Sequence, residues 1–457
     1  MKNYLMAIDA GTGSVRAVLF DLKGNQIGCS QHEWTHNEDP RFPGSMDFDW
    51  KYNWELASGC VRNVLAETKI DPAEIAAIST TCMREGILLY DKDGNEIWAC
   101  ANVDARSNDE VAELIRMNPD LELELYKKSG QSYALNAIPR ILWVKNNMPD
   151  IYEKTAKIGM FNDWLIYKLT GVLAVEPSNG STTGLLDLQT RTWDTEIAAK
   201  CNLRTDIFPD ILECGSISGK VTAKGASETG LAEGTPVVVG GGDCQLGTIG
   251  VGACKPGEAA VFGGSFWQYE FNTESGKTDP YGRVRVNCHA VPGVWQYEAL
   301  AFKPGLVMRW FRDGFCQEEK RKAKEIGDDP YNLMNQAAEK IPAGCYGMMC
   351  CFSDIMNFIN WKHAAPTFTN FELLPEKFNK YTFYRSILEN TAMLVKGHIE
   401  LVKEATGNEP DKLIFAGGAS VSDLWSQILA DVTGKPVVTP VVKEATALGA
   451  AIIAGYG

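Results

Sequence analysis

Residues 4–14, YLMAIDAGTGS, decide the fold that this sequence predicts. The segment begins with a short apolar run and continues into glycine, which is typical of a strand covered on both faces. A turn of Gly, Thr and Ser after such a strand offers backbone N–H groups and hydroxyls to an anion, because glycine lets the chain approach a phosphate closely. The segment therefore predicts a buried strand, a phosphate-binding turn and the carboxylate of Asp9 at their junction.

The same design occurs again in the second half of the chain. Residues 236–243, PVVVGGGD, form a second apolar run that enters an acid-and-glycine turn, and residues 263–265, GGS, form a further turn after residues 259–262. Two turns of similar build predict two related lobes that face one polyphosphate. Asp9 and Asp243 would then hold a metal ion and deprotonate a hydroxyl, which indicates phosphoryl transfer. A dinucleotide-binding fold is disfavoured, because a strand and not a helix follows Gly13.

The composition fits a two-domain enzyme that does not bind nucleic acid. The chain has 457 residues, and domains usually contain about 50–250. The net charge of −14 argues against nonspecific binding to nucleic acid or to an anionic membrane. Thirteen cysteines without a C-x-x-C pair and five scattered histidines argue against a zinc site and favour a reducing compartment. No apolar stretch reaches the ~18 residues of a membrane span, and no signal peptide is recognised, so we expect a cytoplasmic protein.

Hydrophobic periodicity places the remaining elements of an α/β protein. We expect residues 1–246 to form an N-terminal domain and residues 247–457 a C-terminal domain. The predicted strands cover residues 4–8, 15–21, 26–29, 76–81, 236–239, 259–262, 268–271 and 412–416. The predicted helices cover residues 50–67, 164–170 and 444–454, together with a helix through Leu424 and Leu429. Asp49 is the expected cap of the first helix. Trp267, Trp310 and Trp361 are interpreted as core or wall residues, and His289 and His363 as structural.

The chain resembles the FGGY family of carbohydrate kinases, within the superfamily of sugar kinases, actin and heat-shock chaperones. The motifs that carry the resemblance occur in the family's order over nearly the whole chain. They are residues 9–12 (DAGT), 83–86 (MREG), 163–164 (DW), 169–171 (LTG), 242–243 (GD), 264–265 (GS), Trp310 with residues 312–313 (RD), and 416–418 (AGG). Residues 83–86, 102–106 (NVDAR), 262–267 (FGGSFW) and 442–449 (VKEATALG) further resemble the members that phosphorylate 4,5-dihydroxypentane-2,3-dione, a quorum-sensing precursor.

The resemblance implies a two-lobed sugar kinase and actin-like (ribonuclease H-like) fold with ATP and substrate in the cleft between the domains. It implies ATP and Mg²⁺ as cofactors and a small hydroxy-ketone as acceptor, with a homodimer left open. Asp243 would be the catalytic base and, with Asp9, a ligand of Mg²⁺. The implied substrate-binding residues are Arg84, Glu85, Asp104 and Asp243. The implied ATP-binding residues are Gly11, Thr12, Gly13, Gly264, Ser265, Gly305, Gly417 and Gly418.

The sequence departs from the family pattern at three places. Residues 136–143 (NAIPRILW) fit the first family motif only in part, with Arg140 where lysine is usual and Ala137 where Pro, Ser or Thr is usual. Cys244 follows the catalytic acid where polyol-specific members carry glutamine. The chain ends at Gly457, where members usually continue, so we expect Leu448, Ile452 and Ile453 of the last helix to lack their usual cover.

Two classes of function remain open at this stage. The favoured one is an ATP-dependent kinase that phosphorylates the primary hydroxyl of 4,5-dihydroxypentane-2,3-dione, or else another small polyol or ketose such as xylulose, ribulose or glycerol. The other is a degenerate nucleotide-binding regulatory protein that keeps the fold without turnover. Asp243, Arg84 and Glu85 favour the enzyme, because a binding module needs no general base. Arg84 and Glu85 could instead be a surface ion pair.

Overall fold

The computed structural model describes residues 2–352, 365–442 and 444–457. Trp361, His363 and Lys443 lie outside these residues. Within the described residues, the strands are β1 Tyr4–Ala10, β2 Ser14–Asp21, β3 Gln26–Glu33, β4 Ile75–Cys82, β5 Ile87–Tyr90, β6 Glu96–Cys100, β7 Lys157–Met160, β8 Ala174–Val175, β9 Leu186–Asp187, β10 Thr192–Trp193, β11 Asp210–Ile211, β12 Ile217–Lys220, β13 Pro236–Gly242, β14 Ala259–Gly263, β15 Trp267–Thr273, β16 Arg285–Cys288, β17 Trp295–Ala301, β18 Met349–Cys351, β19 Thr367–Thr369, β20 Leu413–Ala416 and β21 Val437–Val438.

Helices cover the faces of these strands. In the same residues, the α-helices are α1 Trp50–Thr68, α2 Asn108–Met117, α3 Leu121–Ser129, α4 Ala137–Asn147, α5 Pro149–Lys154, α6 Phe161–Thr170, α7 Pro177–Gly180, α8 Thr195–Lys200, α9 Ala223–Thr229, α10 Asp243–Gly250, α11 Pro304–Phe315, α12 Gln317–Ile326, α13 Pro330–Ala338, α14 Lys380–Thr406, α15 Asp423–Thr433 and α16 Ala445–Tyr456. None of the helices in the described part of the chain is long and apolar enough to cross a membrane.

The two large sheets share the arrangement of five of their six strands. The first has the order β12-β13-β4-β1-β2-β3, and the second has the order β16-β17-β15-β14-β20-β21. In each sheet, an antiparallel meander (β1-β2-β3 or β14-β15-β17) is extended on its first strand by two parallel strands (β4 and β13, or β20 and β21). The predicted pair of related α/β lobes is therefore confirmed.

The local sequence signals fix most element boundaries. The Asp49 side chain accepts hydrogen bonds from the backbone N–H groups of Lys51 and Tyr52, as expected for the cap of α1. Helix α6 ends at Gly171, whose φ of 75° is left-handed.

His289 and Trp267 are buried, whereas Trp310 is half-exposed.

The predicted glycine turn before Asp243 is wrong. Gly240, Gly241 and Gly242 are the last residues of strand β13, which runs parallel to β4. A Cβ atom on Gly240 would lie 1.7 Å from the carbonyl oxygen of Thr80. These glycines therefore allow close contact between two strands, and Asp243 is placed by the end of β13 and the start of α10.

Helix α16 joins the two halves of the molecule. It follows the second sheet in the chain but packs on α10 and on β1, β4 and β13 of the first sheet. Ile453 is buried in this contact, whereas Ile452 is half-exposed and Leu448 is partly buried. The expected exposure of the last helix therefore holds for Ile452 and is wrong for Ile453.

Candidate functional site: a cleft between two lobes

Asp9 is buried near the end of β1, and its partner Arg16 also pairs with Glu444, just before α16. The Arg16 Nε atom lies 3.0 Å from Asp9 Oδ2, and the same guanidinium pairs with Glu444. The pKa of Asp9 is raised to about 6: burial raises it most, Arg16 lowers it, and the nearby charges of Asp243 and Glu444 raise it. Asp9 and Asp243 are 234 residues apart in sequence, but both lie at the carboxyl ends of parallel strands of the first sheet, so the charge of Asp243 acts on Asp9.

The turn at Gly11, Thr12 and Gly13 is held by its carbonyl groups. The indole N–H of Trp34 donates to the carbonyl oxygens of Gly11 (3.0 Å) and Thr12 (3.2 Å). The amide of Asn102 donates to the Thr12 hydroxyl at 2.9 Å. A Cβ on Gly13 would meet no atom within 4 Å. The turn is thus fixed from behind, and its outer side is open to a ligand.

Asp243 and Arg84 face each other at the ends of two neighbouring parallel strands. Arg84 follows β4, Asp243 follows β13, and the Arg84 Nε atom lies 3.5 Å from Asp243 Oδ1. The Asp243 side chain is 36% exposed, and the backbone N–H of Cys244 donates to it at 2.8 Å. Burial raises the pKa of Asp243, the Arg84 charge lowers it, and Glu85 raises it. Asp243 is therefore a carboxylate with raised basicity at the cleft surface.

Glu85 and Arg84 are both paired with side chains of the second sheet. Glu85 adopts a left-handed φ of 66°, and its Oε1 atom lies 2.6 Å from the Arg285 guanidinium. Arg84 forms a short ion pair with Glu298, and Arg285 lies 3.3 Å from that same carboxylate. The side chains of Arg84, Arg285 and Glu298 are each exposed by 5% or less. Arg84 and Glu85 are therefore no surface ion pair but part of a buried network between the lobes.

Glu298, Arg285 and their neighbour Glu270 are not among the residues that the sequence motifs predict. One signal could have revealed the two glutamates, because residues 267–270 and 295–298 have the same sequence, WQYE. Both copies lie on strands, and their glutamates are directly opposite each other in the antiparallel pair β15–β17. A fully buried glutamate on a strand is unusual, because ionisable side chains are rarely buried completely unless they are paired.

The structure turns the Asp104 carboxylate into the protein. Asp104 Oδ2 accepts hydrogen bonds from the Met46 backbone N–H (2.6 Å) and from Arg106 Nε (2.8 Å), and the side chain has no exposed surface. The Arg140 guanidinium donates hydrogen bonds to three carbonyl oxygens in the same region, those of Glu85, Asn102 (2.7 Å) and Asp104 (3.0 Å). Asp104 and Arg140 thus fix the loops that carry Glu85 and the Thr12 contact.

A cavity of about 580 Å³ opens on the second lobe beside the Gly264 turn. Its wall includes four of the predicted ATP-binding residues: Gly264, Ser265, Gly305 and Gly418. The remaining lining residues are Gly263, Met308, Arg309, Arg312, Asp329, Tyr331, Asn332, Asn335, Tyr384, Ala419, Val421, Ser422 and Trp425.

Glycine is required at two points of this wall. A Cβ on Gly305 would lie 2.1 Å from the Gly264 carbonyl oxygen, and Gly417 has a φ of 90° next to the Gly263 backbone. Two pairs of backbone segments therefore approach each other closely at the wall of this cavity.

Two lobes of one topology, a glycine-walled cavity and two interacting carboxylates at the cleft define the class of two-lobed phosphotransferases. Residues 4–250 match the N-terminal domain of the FGGY family of carbohydrate kinases, and residues 272–457 match its C-terminal domain. The chain belongs to the FGGY family of carbohydrate kinases and is an ATP-dependent carbohydrate kinase.

Similar proteins match this chain over nearly all of its length. The autoinducer-2 kinases of Yersinia enterocolitica and Yersinia pestis are 51% identical over 456 residues, which cover 100% of this chain and 86% of theirs. Among solved structures, the xylulose kinase from Rhodospirillum rubrum superposes with a TM-score of 0.88 at 23% identity, over 99% of this chain and 89% of that one. The Plasmodium falciparum glycerol kinase with ADP gives a TM-score of 0.84 at 22% identity, over 99% and 89%. These structures support the fold alone.

Proposed function

We propose that this protein transfers the γ-phosphoryl group of ATP to the primary hydroxyl of 4,5-dihydroxypentane-2,3-dione, the precursor of a quorum-sensing signal. The proposal is supported by 51% identity to autoinducer-2 kinases over the whole chain. The observation that carries the chemistry is Asp243, a partly exposed carboxylate with a raised pKa beside the buried Arg84.

Asp243 accepts the proton of the attacking hydroxyl. Its raised pKa brings its basicity closer to neutral pH, which suits a general base. Arg84 and Glu85 hold the oxygen atoms of the acceptor, because both lie at the Asp243 end of the cleft and are fixed by ion pairs from behind. Asp104 contributes indirectly, since its carboxylate holds Arg106 and the backbone of Met46.

ATP lies between the two glycine turns. The turn of Gly11, Thr12 and Gly13 and the turn of Gly264 and Ser265 bracket the transferring phosphoryl group, where backbone N–H groups stabilise the charge on its oxygens. The adenosine lies in the cavity walled by Gly305 and Gly418, next to Gly417. Closure of the lobes, with a boundary that we place near residue 246, excludes water that would compete with the acceptor.

The residues at the cleft also fit Mg²⁺. Asp9 and Asp243 supply the carboxylate oxygens that this ion prefers, and the Asp243 charge raises the pKa of Asp9, so a cation near both would relieve a repulsion. Bound with ATP, the ion would neutralise phosphate charge. Asp9 would hold it in part through water, and Arg16 orients the Asp9 carboxylate from the opposite side.

A panel of acceptors tests this function. We expect ATP-dependent phosphorylation of the dione, measured as ADP release and product mass, to exceed that of glycerol, xylulose, ribulose and gluconate. Faster turnover of xylulose or glycerol would reject the acceptor and leave the kinase assignment intact.

Two variants link the activity to this cleft. Asp243→Asn should lower kcat by about 10²–10⁴ because it removes the base, while ATP binding by calorimetry changes less than about tenfold. Asp150→Asn makes the same change in the first turn of the surface helix α5, and it should leave both measurements unaltered. An Asp243→Asn enzyme with more than about a tenth of wild-type kcat would rule out Asp243 as the base.

A further inference from the structure

Two buried glutamates face each other behind the cleft. Glu270 of β15 and Glu298 of β17 are directly opposite in the antiparallel register, and both are completely buried. Glu298 is also opposite Arg285 of β16. Side chains at opposite positions lie on the same face of a sheet about 5 Å apart. A row of three ionisable side chains, those of Glu270, Glu298 and Arg285, thus crosses the second sheet where it meets Arg84.

The two glutamates have different surroundings. Glu298 binds the guanidinium groups of both Arg84 and Arg285. Neither carboxyl oxygen of Glu270 has a hydrogen-bond partner among the residues that the structure describes. Burial and the Glu298 charge raise the pKa of Glu270, whereas the two arginines lower the pKa of Glu298. Glu298 is therefore the ionised member of the pair, since an unpaired buried charge is costly and neutralises by taking up a proton.

A metal ion explains this cluster less well. Single ligand atoms of Cys244, Glu270 and Glu298 lie within 4.8 Å of one another, which is close enough to share a cation. However, Glu298 already pairs with two guanidinium groups, and Arg285 is also shared with Glu85. A cation bound by Glu298 would therefore lie against two positive guanidinium groups, which disfavours a metal site here.

We propose that Glu298 is a positioning residue that holds the Arg84 guanidinium beside Asp243, and that Glu270 is its neutral partner. Glu298 binds Arg84 through Nη1, while Arg84 Nε lies 3.5 Å from Asp243 and has no hydrogen-bond partner within the described chain. The guanidinium is thus anchored through Nη1, and its buried Nε atom lies next to Asp243. The inference rests on the proposed roles of Asp243 and Arg84.

A matched pair of isosteric variants tests this assignment. Glu298→Gln removes the charge that anchors Arg84 and should lower kcat/KM for the acceptor by roughly 10–100-fold, through both kcat and KM, because the acceptor is misplaced. The KM for ATP should stay within about twofold, since the nucleotide cavity contains none of these residues. Glu270→Gln replaces a neutral acid by an amide of the same shape and should stay within about threefold of wild type. Equal losses in the two variants, or an unchanged acceptor KM in Glu298→Gln, would overturn the proposal.

An infrared measurement tests the neutral partner without any acceptor. The difference spectrum of wild type minus Glu270→Gln should contain the carbonyl band of one buried carboxylic acid at neutral pH. Subtraction cancels the bands of other buried acids, such as Asp163, whose pKa burial also raises. A difference spectrum without this band would contradict the assignment. If Glu298→Gln does not fold, as judged by ADP calorimetry, Glu298→Asp keeps the charge on a shorter side chain and should still raise the acceptor KM. A wild-type enzyme that prefers another acceptor would reject only the proposed substrate, because the variants can be compared with that acceptor.

Discussion

Burial of the Asp9 carboxylate lowers the stability of the protein when this group is ionised. The side chain is 4% exposed, and one arginine, Arg16, compensates it. The resulting rise of its pKa to about 6 means that the folded protein binds a proton more tightly than the unfolded chain does. An ionised Asp9 is therefore a local source of instability, which is expected where a protein keeps a carboxylate ready for a cation.

Asp9→Asn should stabilise the protein at neutral pH. A pKa raised from 3.8 to about 6 favours folding below about pH 4, and this contribution is lost as the pH rises through 6. Above pH 6, the free energy of unfolding of the wild type is thus lower by up to about 3 kcal/mol. The neutral variant does not lose this stability. Urea unfolding without Mg²⁺ should show the variant to be more stable at about pH 7.5, with the difference shrinking toward about pH 4.

Asp279→Asn is a control, because this substitution should change the stability at neutral pH in the opposite direction. Asp279 is buried and paired with Arg283 at 2.8 Å, and its pKa is lowered. Its stabilising contribution is present above its usual pKa and is lost as the pH falls through the lowered value, so the asparagine variant should be less stable at neutral pH. If Asp9→Asn also destabilised the protein at about pH 7.5, burial would not be the dominant influence on Asp9.

At the scale of elements, helix α11 is positioned by one glycine. The Gly305 backbone lies against the Gly264 carbonyl, and both residues line the cavity that we propose for the nucleotide. Gly314 is near the other end of the same helix, where an added Cβ would meet no atom within 4 Å. The two glycines therefore differ in packing but share a helix, which makes them a matched pair.

Gly305→Ala should weaken nucleotide binding, because its methyl group would push α11 away from the Gly264 turn. We expect the Kd for ADP to rise at least about tenfold by calorimetry, as a displacement of about 1 Å disrupts a ligand site. Gly314→Ala should bind ADP normally and gain up to about 1 kcal/mol in stability from helix propensity. Normal ADP affinity in Gly305→Ala would show that the cavity wall is not the nucleotide site.

The elements that the sequence predicts are those defined by local periodicity. Strand β1, helix α1 with its Asp49 cap, and helix α6 with Gly171 each depend on neighbouring residues. The turn predicted at Gly240 was wrong because its glycine meets Thr80, a contact between strands distant in sequence. Arg285 and Glu298 were missed for the same reason: their partners, Glu85 and Arg84, are more than 190 residues away.

At the scale of the whole molecule, α16 connects both carboxylates of the cleft. Glu444, just before the helix, pairs with the arginine that holds Asp9, and the Thr446 hydroxyl donates to the Asp243 carbonyl oxygen at 3.4 Å. The helix also packs on the first sheet, although it follows the second in sequence. The relative placement of the two carboxylates therefore depends on how closely α16 approaches α10.

Gly449→Ala should disturb this approach. An added Cβ at Gly449 would lie 1.9 Å from the Leu246 carbonyl oxygen of α10, so one of the two helices must move. We expect a loss of about 1–3 kcal/mol in urea unfolding, as for other overpacked sites, together with a lower kcat because α10 begins with Asp243. At Gly455 on the same helix, the added Cβ would meet only the end of the Leu5 side chain at 3.0 Å, which can rotate away. Gly455→Ala should therefore cost less than about 1 kcal/mol and keep kcat. Equal effects of the two variants on kcat would mean that the α10–α16 contact does not position Asp243.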